Sequence, residues 1–331
     1  MWYKKYYNIV SLKRDWLELE KKGSCSSPFQ TYGFMQRAWL YFYPYYLKNK
    51  YIPEFYSFYV EGKCVMIVPL VRYINQQRAQ IFGYVNGFNY TDIVVSEPQY
   101  IDEAFRLLKS EIDVLECYRV LESSSLWNRY KGTISKDVAI KNVSIGFGDD
   151  YGLYVKSLSK STRQNLRTAY NRMNTDGKAL DFRVLSGNGG GKLCDYKLFV
   201  DLYCRRHEER YQVHTSSIKK WFLLHQSFAT RNYIYNERAL TFSIYIDNVL
   251  VAFMSGLGGD GNQYVVPRLS INTDYGFYSP GMLLLNETIK YLMENTTVRH
   301  LDLSQGEEPY KYKMGGETHL THSFVIGLQD I

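Results

Sequence analysis

In ALTFSIYIDNVLVAFMSGLGG, residues 239–259, two runs of period-two alternation meet at Asp247-Asn248, and the segments after them leave little topological choice. The Asp-Asn pair predicts a tight hairpin. GDGN at 259–262 turns the chain into a third strand, QYVVPRL. Next come the helix-spaced YSPGMLLLNETIKYL at 278–292 and the strand RHLDLSQG, which ends at Gly306. A strand, a crossover helix and a second strand in one sheet run parallel and right-handed. Loops at the carboxyl ends of such strands form a ligand crevice. The crossover helix opens on Ser279-Pro280-Gly281. Serine suits the N-cap, proline the first helical position, and glycine leaves the backbone bare. A helix start of this kind attracts anions. The spacing therefore predicts an anion site at Ser279, Pro280, Gly281 and Met282, inside the crevice.

The rest of the chain repeats the same grammar. Helices are expected over 11–22 and 30–48, the second disturbed by Pro44, followed by a hairpin of strands turning at Glu61-Gly62. Short strands near 79–84, 91–95 and 117–122, with a helix near 102–110, complete the first half. In the second half a basic helix over 157–174 precedes the strand DFRVLSG, the loop GNGGG from Gly187 to Gly191, and helices over 193–211 and 216–228. A final strand is THSFVIGL. The fold class is α/β with a mixed sheet, in two domains of similar plan, 1–150 and 151–331.

Composition narrows the function. The 331 residues are 45% hydrophobic and 22% charged, which is globular composition. The 32 tyrosines are expected to serve half-buried strands and helices. A net charge of +7 is compatible with phosphates, a polyanion or an acidic surface as partner. Cysteines 25, 64, 117, 194 and 204 form no CxxC and no regular framework, a reduced, cytoplasmic pattern. The six histidines do not pair with cysteines or carboxylates at metal-ligand spacing, so no metal is expected. His319 and His322 point to opposite faces of a strand. No apolar stretch approaches the length of a membrane span, and the N-terminus has no apolar core of a leader.

Several stretches together resemble a known family. YSPGMLL at 278–284 and LDLSQGEEPYKYKMGG at 301–316 resemble the CelD-like, cellulose-biosynthesis type of acyltransferase in the GNAT superfamily. The matching residues are Ser279, Pro280, Gly281, Asp302, Gly306, Tyr310 and Lys311. SLSKSTRQNLRTAYNRM at 157–173 resembles the family's basic helix through Leu158, Ser159, Lys160, Arg163, Asn165 and Leu166. YCRRHEERY at 203–211 resembles another of its helices through His207 and Arg210, with Tyr211 where the family has Trp. The resemblance covers most of 150–320, and the first half matches only in outline, as a degenerate second GNAT-like unit of the FemAB-like double architecture. It implies acyl transfer from acyl-CoA or a related thioester. One departure stands out. The phosphate-binding loop of most GNAT enzymes begins with Gln or Arg, whereas YGFYSPGM has neither, and Pro280 removes a donor. Acyl-CoA (acetyl-CoA foremost), an acyl-carrier protein and aminoacyl-tRNA therefore all stay open as donors.

Individual residues take candidate roles. Lys156, Lys160, Arg163 and Arg167 share one face of the expected basic helix, with no acid between 155 and 173, so Arg163 and Lys160 are candidates for phosphate. Asp302 is a candidate general base if burial raises its pKa; otherwise it caps the loop 304–306 or pairs with Lys311. His207 is a second candidate base. Tyr310 is a candidate to donate to a leaving thiolate or to stack on the substrate, with packing as the alternative. Arg268, Arg210, Gly306 and Lys311 are candidates for the substrate. The leading expectation is an acyltransferase acting on an amine or hydroxyl of a sugar, a polysaccharide precursor or a lipid-linked acceptor, with peripheral membrane contact open. The alternatives are a FemAB-like transferase using aminoacyl-tRNA and a non-catalytic GNAT-fold binding module.

Overall fold

The computed structural model describes residues 1–83, 88–187, 193–222, 238–258 and 262–331. Residues 188–191 of the glycine loop, Gly259–Gly261, His225 and the end of the expected helix 216–228 lie outside them. Two compact units emerge, Met1–Lys141 with His319–Ile331, and Asn142–Thr318. The division lies at 141/142 rather than 150/151, and the last strand belongs to the first unit from His319 on, where it pairs.

The first unit contains β1 (Trp2–Tyr6), α1 (Lys13–Lys21), α2 (Tyr32–Lys48), β2 (Tyr51–Val60), β3 (Lys63–Tyr73) and β4 (Arg78–Ile81). It continues with β5 (Val94–Val95), α3 (Tyr100–Leu108), β6 (Val114–Leu121) and α4 (Ser125–Tyr130). The last strand of the chain, Gly316–Gly327, pairs antiparallel with β6. Glu61 and Gly62 turn the β2–β3 hairpin with φ of 49° and 76°, as the sequence requires. Pro44 sits inside α2 without ending it. β4 and β6 run parallel across α3, with Gln80 opposite Glu116. The tyrosines find a specific use here. Tyr56 donates to the buried carboxylate of Glu54, and Tyr73 and Tyr118 donate to that of Glu116. Lys5 and Arg72 pair with Glu54 as well. Buried carboxylates need such partners, since an unpaired buried charge is strongly disfavoured.

The second unit contains β7 (Asp137–Gly146, from Asn142 on), α5 (Tyr151–Ser157), α6 (Lys160–Thr175), β8 (Leu180–Ser186), α7 (Leu193–Tyr211) and α8 (Ser217–Phe222). After these come β9 (Ala239–Ile246), β10 (Val249–Gly258), β11 (Gln263–Ile271), α9 (Pro280–Asn295), β12 (His300–Gln305) and α10 (Pro309–Lys313). Its strands lie in the order β7-β12-β11-β10-β9-β8. Asp247 and Asn248 turn the β9–β10 hairpin at φ 48° and 65°. β11 and β12 are parallel, as the crossover predicts.

α6 and α9 cover one face of this sheet. Leu166 and Met173 of the first and Leu283, Leu285 and Ile289 of the second share a core with Met254, Tyr264 and Leu301. α7 covers the other face, where Phe199 meets Phe253 at 4.9 Å between ring centroids and the Leu202 carbonyl accepts from Ser270 Oγ. The expected basic helix is two helices. Leu158 leaves helical geometry, and Ser159 caps α6 by accepting the Thr162 N–H at 3.1 Å. Lys156 therefore belongs to α5 and does not share a helical face with Lys160, Arg163 and Arg167.

Candidate functional site

β11 and β12 pair at only three positions, Gln263 with His300, Tyr264 with Leu301, and Val265 with Asp302. Beyond that point both strands continue, but apart. Each has a local cause. On the β10 side, Val266 and Pro267 lie opposite Gly256 alone, a β-bulge. A Cβ at Gly256 would lie 2.4 Å from the Val265 carbonyl, so only glycine allows this close passage. Pro267 also brings no N–H to a ladder. On the β7 side, Leu303 and Ser304 lie opposite Val143 alone. Ser304 is left-handed at φ 55°, and Asp302 Oδ1 accepts its N–H at 2.7 Å. Two bulges thus accompany the parting of the strands from each other.

The start of α9 lies beside β11. Gly281 packs there against Ile271 and the ring of Tyr310, each 3.7 Å from where a Cβ would stand. The expected open turn is more closed than its sequence suggests. Ser279 is left-handed at φ 54°, and its hydroxyl caps nothing. Its carbonyl takes the N–H groups of both Met282 and Leu283, at 3.0 and 3.2 Å. Pro280 has none to give, which leaves only the Gly281 amide outside this arrangement. Burial, with a smaller push from Glu308, raises the Tyr310 hydroxyl above its ordinary value. It remains a proton donor at neutral pH.

Asp302 lies between Leu301 and Leu303, whose side chains join the core under α9. Strand alternation therefore turns its carboxylate to the opposite face, toward α7. It is fully buried and holds the bulge, which matches the loop-capping alternative for this residue. Lys311 is buried too, and its ammonium donates to the carbonyls of Leu303, Gln305 and Gly306 at 3.2, 3.3 and 3.0 Å. Its three hydrogens are thereby engaged, and it is not placed to hold a substrate. Burial lowers its pKa, with Glu308, 3.1 Å away, and Asp302 acting against the shift. In Glu308, burial pushes the carboxyl up, but Lys311 and Arg210 outweigh it and the net shift is downward. Gly306 sits at φ 115°, where any Cβ would collide with the Glu308 carboxylate. GEEPYK is thus a clamp on the loop after β12.

α7 crosses the parted strands. Tyr203 lies under the Arg268 guanidinium at 5.6 Å, and Arg210 reaches Glu308 at 3.5 Å. His207, one turn beyond Tyr203, falls between these two contacts, with its ring 4.8 Å from that of Tyr211. Among the described residues, three polar atoms in this region are buried without a hydrogen-bond partner: His207 Nδ1, Arg268 Nε and Ser304 Oγ. Each such orphan is unfavourable by about 1–3 kcal/mol, so their concentration makes this region the candidate site. Ser304 escaped the sequence reading. The only signal was an aspartate two residues before a serine at a strand end.

Two phosphate candidates stand elsewhere. Arg163 donates to the carbonyls of Lys156 and Leu158 and so closes the end of α5. Lys160 is exposed in the first turn of α6. A cavity of about 330 Å³ in the first unit, among Asp102, Arg129, Tyr130 and Val325, contains none of the candidate residues.

Residues 160–312 match the family model described as an acetyltransferase (GNAT) domain. No curated protein matches the chain. Among solved structures, FemX is similar at TM-score 0.58 and 9% identity, over 86% of this chain and 90% of that one. The C-terminal domain of a putative lysylphosphatidylglycerol synthetase from Agrobacterium fabrum is similar at 0.56 and 9%, over 96% and 92%. A tandem GNAT protein from the clavulanic acid biosynthesis pathway is similar at 0.52 and 11%, over 99% of both chains. At such identities the likeness is one of fold. Residues 160–312 are thus similar to a GNAT-type acetyltransferase domain, in a chain whose fold is like that of a tandem GNAT protein.

Proposed function

We propose that the second unit transfers an acyl group, acetyl foremost, from a thioester to an amine or hydroxyl, with acyl-CoA as donor. The observation that carries this reading is the parting of β11 and β12 after Val265 and Asp302, beside the start of α9 at Gly281. Unpaired strand edges favour an extended, amide-bearing ligand that adds hydrogen bonds to them. The pantetheine arm of a thioester donor is such a ligand. The turn Ser279–Met282, with its remaining Gly281 amide, is the part suited to phosphates.

In this reading His207 takes the proton of the attacking amine or hydroxyl through its unpartnered Nδ1. The new bond forms to the thioester carbonyl carbon, the carbon–sulfur bond breaks, and Tyr310 gives its proton to the thiolate. Asp302 acts on the shape of the gap through the Ser304 bulge rather than as the base. Arg268 and Arg210 face the acceptor, and their charge suits a phosphate or carboxylate on a sugar nucleotide or a lipid-linked saccharide. A CelD-like acceptor, a polysaccharide precursor, belongs to this class.

Calorimetric titration with acetyl-CoA tests the donor. Wild type is expected to bind, and Gly281→Glu to lose at least about tenfold in affinity through displacement of Tyr310 and charge repulsion. An absence of binding by wild type from acetyl- to palmitoyl-CoA removes the CoA version. A second reading, a tRNA-borne donor, is favoured by residues 151–175, which hold five basic residues and no acid. Transfer RNA co-purifying at low salt and lost steeply as salt rises would favour it.

A further inference from the structure

Beyond the end of α7 the chain displays apolar side chains to water. Tyr211, Val213, Ile218 and Trp221 are 57%, 44%, 71% and 56% exposed. Single exposed apolar residues are ordinary, but four within eleven positions form a patch. The patch is basic as well as apolar. From Arg210 to Phe222 there is no Asp or Glu, while Arg210, Lys219 and Lys220 are present.

The display is held from below. Glu208 accepts the Thr215 N–H at 2.7 Å, and Thr215 is buried. Gln212 takes a left-handed turn at φ 52°. Ser216 Oγ accepts the Lys219 N–H and opens α8. On α8, Ile218 and Trp221 stand three residues apart on one side, with the two lysines between them. These bonds fix the backbone that carries the exposed apolar groups.

We propose that this tip, Tyr211–Trp221, docks the protein on an anionic lipid surface. Tryptophan and tyrosine favour the level of the headgroups, and isoleucine and valine the acyl boundary just beneath. Lysines beside them gain from negative headgroups. A patch that is apolar, aromatic and free of acids matches that surface in both respects, and the net charge of +7 acts in the same direction. The attachment is peripheral, because among the described residues no helix is long and apolar enough to cross a membrane. Docking needs neither donor nor acceptor and stands apart from the acyl-transfer reading. It does bring the end of α7, with Arg210 against Glu308, next to whatever the lipid surface presents.

Sedimentation with unilamellar vesicles tests this, with no donor added. Phosphatidylcholine containing about 30 mol% phosphatidylglycerol is compared with phosphatidylcholine alone, at about 50 and 500 mM salt. Wild type is expected to sediment with the anionic vesicles at low salt and to be released at high salt. Lys219→Gln with Lys220→Gln should lower the partition by about fivefold per lysine. Ile218→Ser with Trp221→Ala should lower it by about tenfold or more, with an unchanged far-ultraviolet circular dichroism spectrum. Wild type remaining in the supernatant with anionic vesicles at low salt overturns the proposal. So does sedimentation that both double variants leave unchanged. Loss of a bound protein partner in the variants, without any lipid binding by wild type, overturns it in favour of a protein interface.

Discussion

Arg119 and Ser304 occupy matching points in the two units, both left-handed, at φ 53° and 55°. Each is the second residue of a bulge in the strand that follows a parallel crossover, β6 in one unit and β12 in the other. The surroundings differ. At Arg119 the chain fills the adjoining space itself. The Thr91 N–H donates to the Arg119 carbonyl, the Thr91 hydroxyl to that of Tyr118, and the Arg119 guanidinium to the Phe88 carbonyl. Phe88, Tyr90 and Thr91 are all buried. At Ser304 the hydroxyl is buried and orphaned. The first unit thus satisfies this point with its own residues, whereas in the second the Ser304 hydroxyl finds no partner among the described residues. Calorimetry with acetyl-CoA is expected to give one donor per chain. A stoichiometry of two would show that residues 88–91 yield to ligand.

His207 should separate chemistry from binding. Its ring is half-buried on α7, and Nδ1 has no partner whose loss would disturb the fold. His207→Ala is expected to lower kcat by about 10²- to 10⁴-fold, the usual range for removal of a general base, with KM changing much less. Steady-state rates with a thioester donor and a thiol-release readout check this. An unchanged kcat would leave the proton to another group.

The parts of this fold that could be read from the sequence are those set by neighbouring residues. Glu61-Gly62 and Asp247-Asn248 demand positive φ at both turn positions, and both hairpins form there. The strand, helix and strand from 263 to 306 follow from period changes alone. The parts that could not be read depend on distant partners. The parting of β11 from β12 needs Gly256 on a third strand and Val143 on a fourth, which no local pattern announces. β7, in KDVAIKNVSIG, carries too many charged and polar residues to stand out, and it exists because β12 pairs with it. The break between α5 and α6 was hidden by regular spacing of basic residues, although Ser159 is a good cap. Lys311 looked like a ligand-binding residue because the carbonyls that surround it come from a backbone shape, not from a motif.

Lys311 should therefore matter to stability more than to binding. Lys311→Met keeps the stem but leaves three carbonyls without their donor and the half-buried Glu308 with Arg210, at 3.5 Å, as its remaining cation. Removing one partner of a buried pair costs about 3–5 kcal/mol. Urea unfolding is expected to show a loss toward the lower end of that range, since Glu308 is partly exposed and keeps Arg210, and Glu308→Gln in the same chain should recover part of it by removing the under-compensated charge. A midpoint unmoved by Lys311→Met would mean that water replaces the ammonium in the clamp.

Asp92, in the first unit, should give the fold an acid-favouring component. Burial pushes its carboxyl up to about 6, against hydrogen bonds from Ser124, Ser26 and the Ile93 N–H that pull it down. The folded chain thus holds this proton more tightly than the unfolded chain, whose aspartates titrate near the ordinary value of about 4. The contribution to stability is full below the unfolded value and is lost as pH rises from about 4 through about 6. A two-unit difference corresponds to about 3 kcal/mol at most. Asp92→Asn keeps an oxygen for the Ile93 N–H and gains an amide for one of the serines, without a charge to bury. It is expected to stabilise the protein at pH 8 by up to about 3 kcal/mol, with the advantage shrinking as pH falls toward 4. Urea midpoints of both proteins across that range decide it. An advantage that grows toward acid would mean that the Asp92 carboxylate is charged and satisfied in the folded state.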